Sequence, residues 1–317
     1  MRLRLLLVAV LVGGCASASP SPTPSPSPPA PSLEPSPTAL PTATPVPTPK
    51  PTPAPIPVDE AMFARRFTVL VAGADASEYR QRIGVAEINT DALMVISVSA
   101  DKSRIAMLSL PRDTVDVPMP DGSIYHGKVN GIAQRFGIET LRGAMSKLLG
   151  VPIDRYIRVD MDDFGWMVDA VGGVDVEVAL RLVDAHLHLR IDPGPAHLDG
   201  ALALAYTRTR VDSDYGRAAR QQQVVRALVA KWLDPGLMAL VGTIRLLGSL
   251  ETDIGLDELT TLLAIGRASA SAGVTQTVLK PPRFSLFVGI EPNSRRGWVM
   301  IPDIPEIRAY ARSLFVD

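Results

Sequence analysis

The chain has 317 residues, of which 46% are hydrophobic and 21% charged, proportions typical of a globular protein that forms a core. Its formal net charge of −1 excludes the global basic field of a nonspecific nucleic-acid-binding protein, so no nucleic-acid partner is expected. Cys15 is the only cysteine, which excludes an intramolecular disulfide and the Cys/His frameworks of structural zinc sites.

The first fifteen residues have the pattern of a secretory signal. Arg2 and Arg4 form a basic start, Leu5–Val12 is an unbroken apolar run, and two glycines directly precede Cys15. The small pair before a cysteine resembles the bacterial lipobox, in which the cysteine is lipidated. An uncleaved membrane anchor is the alternative, but the run is shorter than the ~20 residues that span a bilayer. We therefore expect an extracytoplasmic protein held at the membrane by acyl chains on Cys15.

Residues 16–58 form a linker that consists almost entirely of Pro, Ser, Thr and Ala. This composition cannot build a core and favours polyproline II, which rises ~3.1 Å per residue. The linker is therefore predicted to be a semi-rigid tether with a reach on the order of 100 Å. A disordered, glycosylated stalk is the alternative interpretation, and it has the same consequence of lifting the folded part away from the membrane.

Residues 59–317 are predicted to form one folded domain. Phe67–Gly73 is a short apolar run that indicates a buried strand, and a polar turn at 100–103 separates two further strands, Ala92–Val98 and Arg104–Leu110. Helical spacing over Gly131–Leu149 predicts one continuous helix. Later segments predict a strand at Arg155–Val159, a helix at Asp162–Val171, a strand at Val174–Val178, helices from Asp199 to about Ala268, strands near Thr275–Leu279, Ser285–Ile290 and Trp298–Ile301, and a final helix at Ile304–Leu314. Strands mixed with helices throughout predict an α/β domain around one mixed sheet.

A short segment is rich in arginine. A helix that begins at Asp214 would place that residue, Arg217 and Gln221 on the same face as the later apolar residues, and therefore pointing inward. Ordinary ion pairs on a solvated helix face are the alternative. Guanidinium groups suit phosphate oxygens, and several of them converging in a cleft indicate a diphosphate ligand. The arginines of the segment are Arg208, Arg210, Arg217 and Arg220. Arg208 and Arg210 alternate in a Thr-Arg-Thr-Arg run that is predicted to be extended, with both side chains on one side.

Carboxylates occur near the ends of the predicted strands. Asp75 follows the first strand, Asp91 precedes the second, and Asp113 follows the third. Residues beyond strand ends are where α/β folds bind ligands, and together with phosphate oxygens two carboxylates suit Mg²⁺. Each aspartate by itself is more typical of a turn or a helix cap than of a ligand site. Lys128 is a further candidate phosphate contact, and Asn130 is a candidate helix cap.

Other familiar site types are not indicated. His186 and His188 alternate as on the face of a strand, with no third metal ligand nearby in the sequence. No Gly-rich loop ending in Gly-Lys-Ser/Thr is present, and no G-x-S-x-G motif occurs.

From about Phe67 to Trp232 the chain resembles the LytR-CpsA-Psr domain. Single segments are weak evidence, but nine of them occur in the family's order over some 160 residues. The matching segments begin at Val69 (VLVAGAD), Thr90 (TDALM), Met107 (MLSLPRDT), Lys128 (KVN), Leu149 (LGVPID), Val168 (VDAVGGVD), Gly194 (GPAHLDG), Ala205 (AYTRTR) and Asp214 (DYGRAARQQ).

The resemblance implies an α/β/α three-layer sandwich around a mixed central sheet, with an apolar tunnel that binds a lipid. It also implies Mg²⁺ and transfer of a glycopolymer phosphate from a polyprenyl diphosphate-linked glycan to a hydroxyl of peptidoglycan or another envelope polymer. Asp75 and Asp91 would hold the metal, and Asp91 or Asp113 would accept the hydroxyl proton. Asp214 would orient the arginines. The diphosphate would be bound by Arg112, Lys128, Arg208, Arg210, Arg217, Arg220 and Gln221, and the residues assigned to catalysis are Asp91, Arg112, Asp113, Arg208, Arg210 and Asp214.

Two features depart from the family pattern. Asn89 and Thr90 replace the arginine and serine that members commonly carry there, which concerns one polar phosphate contact and not the metal site. The predicted lipid on Cys15 replaces the usual N-terminal transmembrane helix. Two other functions use the same residues: hydrolysis of polyprenyl diphosphates to monophosphates, and non-catalytic glycolipid binding or regulation. Product analysis with and without an acceptor separates transfer from hydrolysis, and function that survives replacement of Asp75 and Asp91 by Ala would indicate the non-catalytic role.

Overall fold

A computed structural model describes residues 57–77, 79, 82–84, 89–232, 250–292 and 294–315. Cys15, nearly all of the predicted linker and residues 233–249 lie outside these described residues. The strands are β1 (Phe67–Ala74), β2 (Thr90–Val98), β3 (Arg104–Ser109), β4 (Val117–Pro118), β5 (Ile124–Tyr125), β6 (Arg155–Val159), β7 (Val174–Val178), β8 (Leu182–Asp184), β9 (Leu189–Ile191), β10 (Gly194–Leu198), β11 (Glu251–Thr252), β12 (Gly273–Val278), β13 (Ser285–Ile290) and β14 (Trp298–Pro302).

Helices alternate with these strands along the chain. They are α1 (Glu60–Ala64), α2 (Ile132–Phe136), α3 (Ile138–Leu149), α4 (Met161–Ala170), α5 (Gly200–Arg208), α6 (Asp214–Trp232), α7 (Leu259–Ala268) and α8 (Ile304–Phe315). Val129–Gly131 and Leu256–Glu258 are short 3-10 helices. In the described part of the chain, no helix is both long enough and apolar enough to span a bilayer.

Six strands form the central sheet, in the order β11-β6-β1-β2-β3-β12. β1 is antiparallel to β2 and parallel to β6, and β3 is antiparallel to β2 and parallel to β12. The sheet is therefore mixed, and helices flank it. This arrangement confirms the predicted α/β fold class.

The two faces of the sheet have different environments because side chains alternate along each strand. On β1, Leu70 and Ala72 are fully buried and belong to the larger core, together with residues of α3 and α8 such as Leu148 and Ile307. A second core joins α4, α5 and α6 to the smaller sheets of β7 to β10. The opposite face of β1, with Val71 at its centre, points toward this second group of helices and lines a cavity.

The predicted helix over Gly131–Leu149 is interrupted in the structure. Gly137 has φ 91° and ends α2, and α3 begins at the next residue. A positive φ is easily adopted by glycine but cannot continue a right-handed helix, which is why the apolar spacing alone predicted a single element.

Two local predictions about extended segments are also wrong. Thr207 and Arg208 are the last residues of α5, where the Thr207 hydroxyl donates to Ala203 O. Thr209, which follows the helix, is extended, with φ −60° and ψ 144°. His186 and His188 lie in the turn between β8 and β9, not on a strand face, and His188 has φ 50°. In both places the residue types alternate along the sequence with a period of two, as in a strand, although the backbone forms a helix end or a turn.

Candidate active site

A cavity of about 670 Å³ lies between the central sheet and helices α4, α6 and α7. Its apolar walls include Val69, Val71, Met94, Ile96, Phe164, Leu228 and Leu262. The lining extends from Phe67 to Asp75, so the cavity follows β1 for about 26 Å at ~3.3 Å per residue. An apolar cavity is thus present, as the family resemblance predicts, and its size is ordinary for a ligand site of roughly 300–1,000 Å³.

Charged side chains surround the end of this cavity where β1 ends and β2 begins, and we call this end the mouth. Asp75 directly follows β1, and Asp91 is the second residue of β2. Because β1 and β2 are antiparallel neighbours, the C-terminal end of β1 lies beside the N-terminal end of β2, and the two aspartates lie at this same end of the strands. The mouth cluster consists of Asp75, Asp91, Asp113, Asp214, Arg112, Lys128, Arg208, Arg210 and Arg217.

Asp91 is the most highly connected carboxylate of the mouth cluster. Its Oδ2 lies 2.5 Å from Arg112 Nη1, 3.2 Å from Arg210 Nη2 and 3.9 Å from Arg217 Nη1. Its Oδ1 accepts a hydrogen bond of 3.2 Å from Asn130 Nδ2. Asn130 lies inside a short 3-10 helix and contacts Asp91 with its side chain, so it is not the helix cap that was predicted.

Asp214 contacts the same three guanidinium groups from the first turn of α6. Its carboxylate oxygens lie 3.1 Å from Arg210 Nε, 3.4 Å from Arg112 Nε and 3.5 Å from Arg217 Nη2. Helix α6 begins at Asp214, as predicted, and Arg217 one turn later points inward with only 5% of its surface exposed. Burial lowers the pKa of Arg217 to about 10, and neighbouring Asp214 opposes that shift. Arg217 therefore remains charged at neutral pH.

Arg208 and Arg210, which we call the mouth arginines, approach different aspartates. Arg208 Nη2 lies 3.8 Å from Asp75 Oδ1, whereas Arg210 contacts Asp91 and Asp214. Both side chains are 42% exposed and line the cavity, so their guanidinium groups are accessible to a ligand at the mouth. The two arginines share one site although the segment between them is not the extended run that was predicted.

Asp113 and Lys128 form a pair on the other side of Arg112. Lys128 Nζ lies 2.6 Å from Asp113 Oδ1, and Arg112 Nε lies 3.7 Å from Asp113 Oδ2. The backbone of this segment is fixed by β14, because Met300 N–H donates to Asp113 O. Neither Asp113 nor Lys128 lines the large cavity, and the pair joins the mouth cluster through Arg112.

Arg220 and Gln221 occupy places different from those expected of phosphate ligands. The last carbonyls of a helix lack partners within the helix. At the end of α5, Arg220 Nε donates to Tyr206 O and Gln221 Nε2 donates to Thr207 O. Arg220 is 6% exposed, and its Nη1 also pairs with Asp212 at 2.8 Å. The structure therefore brings Arg220 to the end of α5 and not into the mouth cluster, whereas Gln221 caps the same helix and also lines the cavity.

Several buried polar atoms beside the mouth have no hydrogen-bond partner among the described residues. They include Nε of Arg112, Nε of Arg217 and the hydroxyl of Tyr215. A small cavity of about 10 Å³, lined by these three residues, lies beside Asp91 and Asp214. Its volume is that of roughly one water molecule, so it has room for one ordered water or one ligand oxygen. Sequence reasoning missed Tyr215, because a tyrosine one position after the helix start carries no distinguishing pattern.

Thr90, one of the two departures from the family pattern, is fully buried, and its hydroxyl also has no hydrogen-bond partner among the described residues. Asn89 lies just before β2, where its carbonyl accepts a hydrogen bond from Asp75 N. The backbone at this position therefore holds Asp75 at the mouth.

A metal ion at the mouth would depend on Asp75 and Asp91. Two carboxylates suit Mg²⁺, which keeps water and phosphate oxygens as its remaining ligands. Across the described ranges there is no group of three or more His, Cys, Asp or Glu side chains that could hold a metal by itself. Asp75 and Asp91 are the two carboxylates of the mouth cluster that also line the cavity, so they are the side chains that could share a cation with a phosphate ligand.

Comparison with known proteins adds to this geometry. The sequence model described as the LytR_cpsA_psr family matches residues 51–289, well over half of the chain. The chain is 35% identical over 167 residues to a protein of Bacillus mycoides named polyisoprenyl-teichoic acid–peptidoglycan teichoic acid transferase TagU, a match that covers 52% of each protein. It is 30% identical over 207 residues to the corresponding TagV of Bacillus subtilis, a match that covers 62% of this chain and 52% of that protein. The matches span about half the length of these curated relatives.

The fold has a counterpart of known structure. The crystal structure of B. subtilis TagV superposes with a TM-score of 0.64 at 25% sequence identity. The superposition covers 80% of this chain and 99% of that one. The architecture described above is therefore shared with nearly all of the residues in that solved chain.

Proposed function

The chain belongs to the LytR-CpsA-Psr family, and on that premise we propose that it transfers a glycopolymer phosphate from a polyprenyl diphosphate carrier to a hydroxyl of a cell-wall acceptor. The observation that carries the proposal is that an apolar environment and a charged environment adjoin at the mouth. An apolar cavity about 26 Å long opens onto a cluster of arginines and aspartates. A lipid tail and a diphosphate require these two environments side by side, because the tail avoids water and the diphosphate needs cationic partners.

The guanidinium groups of the mouth cluster suit a diphosphate. Arg112, Arg210 and Arg217 converge on Asp91 and Asp214, which keep the three positive charges close together before a ligand arrives. Arginine offers rigid, paired N–H donors that match phosphate oxygens. We assign binding of the diphosphate to these three residues and Arg208, with Lys128 and Gln221 contributing from the edge of the site.

The charges at the mouth are compatible with Mg²⁺, because net negative charge remains there once a diphosphate is bound. The mouth cluster has five cationic and four acidic side chains, which leaves one net positive charge. A diphosphate diester carries two negative charges, so its binding leaves the site one charge short of neutrality. Asp75 and Asp91 would hold Mg²⁺, which would neutralise negative charge on the phosphate oxygens.

The proposed reaction is a phosphoryl transfer. The acceptor hydroxyl attacks the phosphorus that carries the glycan, a new P–O bond forms, and the bond from that phosphorus to the bridging oxygen breaks. Polyprenyl phosphate leaves with the bridging oxygen, and the proton of the hydroxyl passes to Asp91 or Asp113. The arginines orient the diphosphate and stabilise charge on the leaving phosphate, the two contributions that dominate phosphoryl transfer.

A transfer assay tests this function. The purified protein is incubated with a short-chain prenyl diphosphate-linked saccharide, Mg²⁺ and a peptidoglycan oligosaccharide, and the products are separated by mass spectrometry. We expect a saccharide phosphate on the acceptor and release of prenyl phosphate in equal amounts. Chelation of the metal should stop product formation, and added Mg²⁺ should restore it.

The same assay without acceptor distinguishes the alternatives. Equal release of prenyl phosphate with and without acceptor would identify a hydrolase. Binding of the donor without any turnover, unchanged in Asp75→Asn and Asp91→Asn, would identify a glycolipid-binding protein. A surface variant, Asp192→Asn, serves as the control because its side chain is 69% exposed and lies outside the mouth cluster.

We also propose that the protein is anchored to the membrane through a lipid on Cys15. The support is the short apolar run before the sequence Gly13-Gly14-Cys15 and the lack of any other cysteine. In cells fed a labelled fatty acid, the wild type should take up label and Cys15→Ser should not, and globomycin should block processing of the wild type alone. Labelling of Cys15→Ser would refute the lipid anchor without affecting the proposed reaction.

A further inference from the structure

Every polar group of Thr209, the residue between the two mouth arginines, is engaged. Its N–H donates to Ala205 O at 3.0 Å, its hydroxyl donates to Asp184 Oδ2 at 2.7 Å, and its carbonyl accepts from Arg220 Nη2 at 2.5 Å. The residue has no exposed surface. Thr209 is thus held from two sides, by a carboxylate on its side chain and by a buried guanidinium group on its backbone.

Asp184 also determines the local structure of the turn between β8 and β9. Its Oδ1 accepts from the backbone N–H of His186 at 3.1 Å and of Leu187 at 3.3 Å. Leu187 in turn lines the apolar cavity. The hydrogen bond from the Thr209 hydroxyl is the largest cause of the lowered pKa of Asp184, which therefore stays ionised at neutral pH. One carboxylate accordingly connects the cavity wall to the segment that carries the mouth arginines.

Arg220 completes the arrangement from inside the protein. Its Nε and Nη2 donate to Tyr206 O and Thr209 O, carbonyls on either side of the end of α5. Its remaining charge is matched by Asp212. All of these contacts are internal, so Arg220 is oriented by the end of the helix and is not directed toward a ligand.

We propose that Asp184 is a positioning residue for the mouth arginines, and that together with Arg220 it clamps Thr209 so that Arg208 and Arg210 present their guanidinium groups to one diphosphate. This inference rests on the proposed function, because it assumes that the mouth arginines bind the donor. It adds residues that lie outside the mouth cluster and that, on this interpretation, do not touch the substrate.

The physical reason is the geometry of the segment. Thr209 leaves α5 with an extended backbone, and its φ and ψ angles contribute to the relative direction of the two arginines that flank it. A ligand that needs both arginines loses part of its binding when those angles are free to vary, because the segment must be ordered again on binding. In metal sites, removing a residue that orients a ligand-binding side chain typically costs roughly 10- to 100-fold in affinity or activity, and we expect an effect of similar size here.

The test compares variants that keep or remove each contact. Thr209→Val removes the hydroxyl and keeps the branched shape, whereas Thr209→Ser keeps the hydroxyl. Asp184→Ala removes the acceptor for the threonine and for the turn, whereas Asp184→Asn keeps an oxygen for the turn. We expect kcat/KM for transfer and affinity for a short-chain prenyl diphosphate to fall roughly 10- to 100-fold in Thr209→Val and Asp184→Ala, with Thr209→Ser close to the wild type and Asp184→Asn intermediate.

A double-mutant comparison with Arg210 distinguishes a positioning role of Asp184 from a general loss of stability. If Asp184 acts through the mouth arginines, Asp184→Ala should change the affinity for the prenyl diphosphate much less in an Arg210→Ala background than in the wild type. Thr261→Val is the matched control, since Thr261 is a fully buried threonine of α7 whose hydroxyl accepts from Asp59 N. It should lower the thermal midpoint without lowering affinity.

Two results would overturn the inference. One is wild-type affinity and turnover in Thr209→Val, and the other is an Asp184→Ala effect of the same size in both backgrounds. Failure of the proposed function gives a different pattern, in which the wild type neither binds the prenyl diphosphate nor transfers, and Arg210→Ala makes no difference.

Discussion

Replacing Arg210 by alanine is expected to reduce transfer by about two to three orders of magnitude. Arg210 contacts both Asp91 and Asp214 and remains 42% exposed at the mouth of the cavity. Its removal leaves the diphosphate without one charge-assisted partner, at a cost of roughly 3–4 kcal/mol in transition-state stabilisation. Since each ~1.4 kcal/mol corresponds to a tenfold change in rate, the expected loss follows.

Further variants test whether the loss of transfer is specific to the mouth arginines. Arg208→Ala should also lose activity, and lysine at either position should rescue only partly, because an ammonium group cannot make the paired contact of a guanidinium group. Arg226→Ala provides a matched control, since Arg226 lies on the exposed side of α6 and outside the cavity lining. Steady-state transfer with Mg²⁺ and thermal melts should be measured for all variants. Near wild-type turnover in Arg208→Ala and Arg210→Ala, with unchanged melting temperatures, would remove these residues from the site.

Filling the cavity with a bulky side chain is expected to reduce transfer from long-chain donors strongly and to spare transfer from short-chain donors. Val71 points into the cavity, while its strand neighbours Leu70 and Ala72 are fully buried in the core on the other face of the sheet. The tryptophan of Val71→Trp should therefore fill part of the cavity that is proposed to bind the lipid tail, and it should leave the core intact. Burial of apolar groups contributes about 0.8 kcal/mol per CH₂, so excluding even one five-carbon isoprene unit forfeits about 4 kcal/mol as an upper estimate. We expect kcat/KM for a long-chain donor to fall by roughly 100- to 1,000-fold.

Short-chain donors provide the internal comparison for this variant. A donor whose tail does not reach Val71 should react at a rate within a few-fold of the wild type, because the mouth cluster is unchanged. Ile124→Trp is the control for the bulky substitution, since Ile124 is 54% exposed and does not line the cavity. Equal losses for long and short donors together with a lower melting temperature would mean that Val71→Trp disturbs the fold. Full activity with long donors would show that the tail does not occupy the cavity.

Local patterns in the sequence were enough to predict most helices and strands and several of the residues that meet at the mouth. The run of apolar residues that became β1, the start of α6 at Asp214 and the inward phase of Arg217 all depend on the periodicity of neighbouring residues. The order of short segments along the chain was enough to indicate the family, and with it the combination of a sheet, a cavity and a charged mouth. These features are predictable because helices and strands repeat with fixed periods of 3.6 and 2 residues.

The tertiary structure decided what each polar side chain contacts. Arg220 and Arg217 look alike in the sequence, three residues apart on one helix, yet one caps the carbonyl end of α5 and the other joins the mouth cluster. The sequence does not reveal this difference, because it depends on where α5 ends relative to α6, and that position is determined by packing between the two helices. The contact of Asp184 with Thr209 joins residues 25 positions apart and has no local signal at all. Hydrogen bonds are short and directional, so partners from distant segments become identifiable only when the fold brings them within about 3 Å of each other.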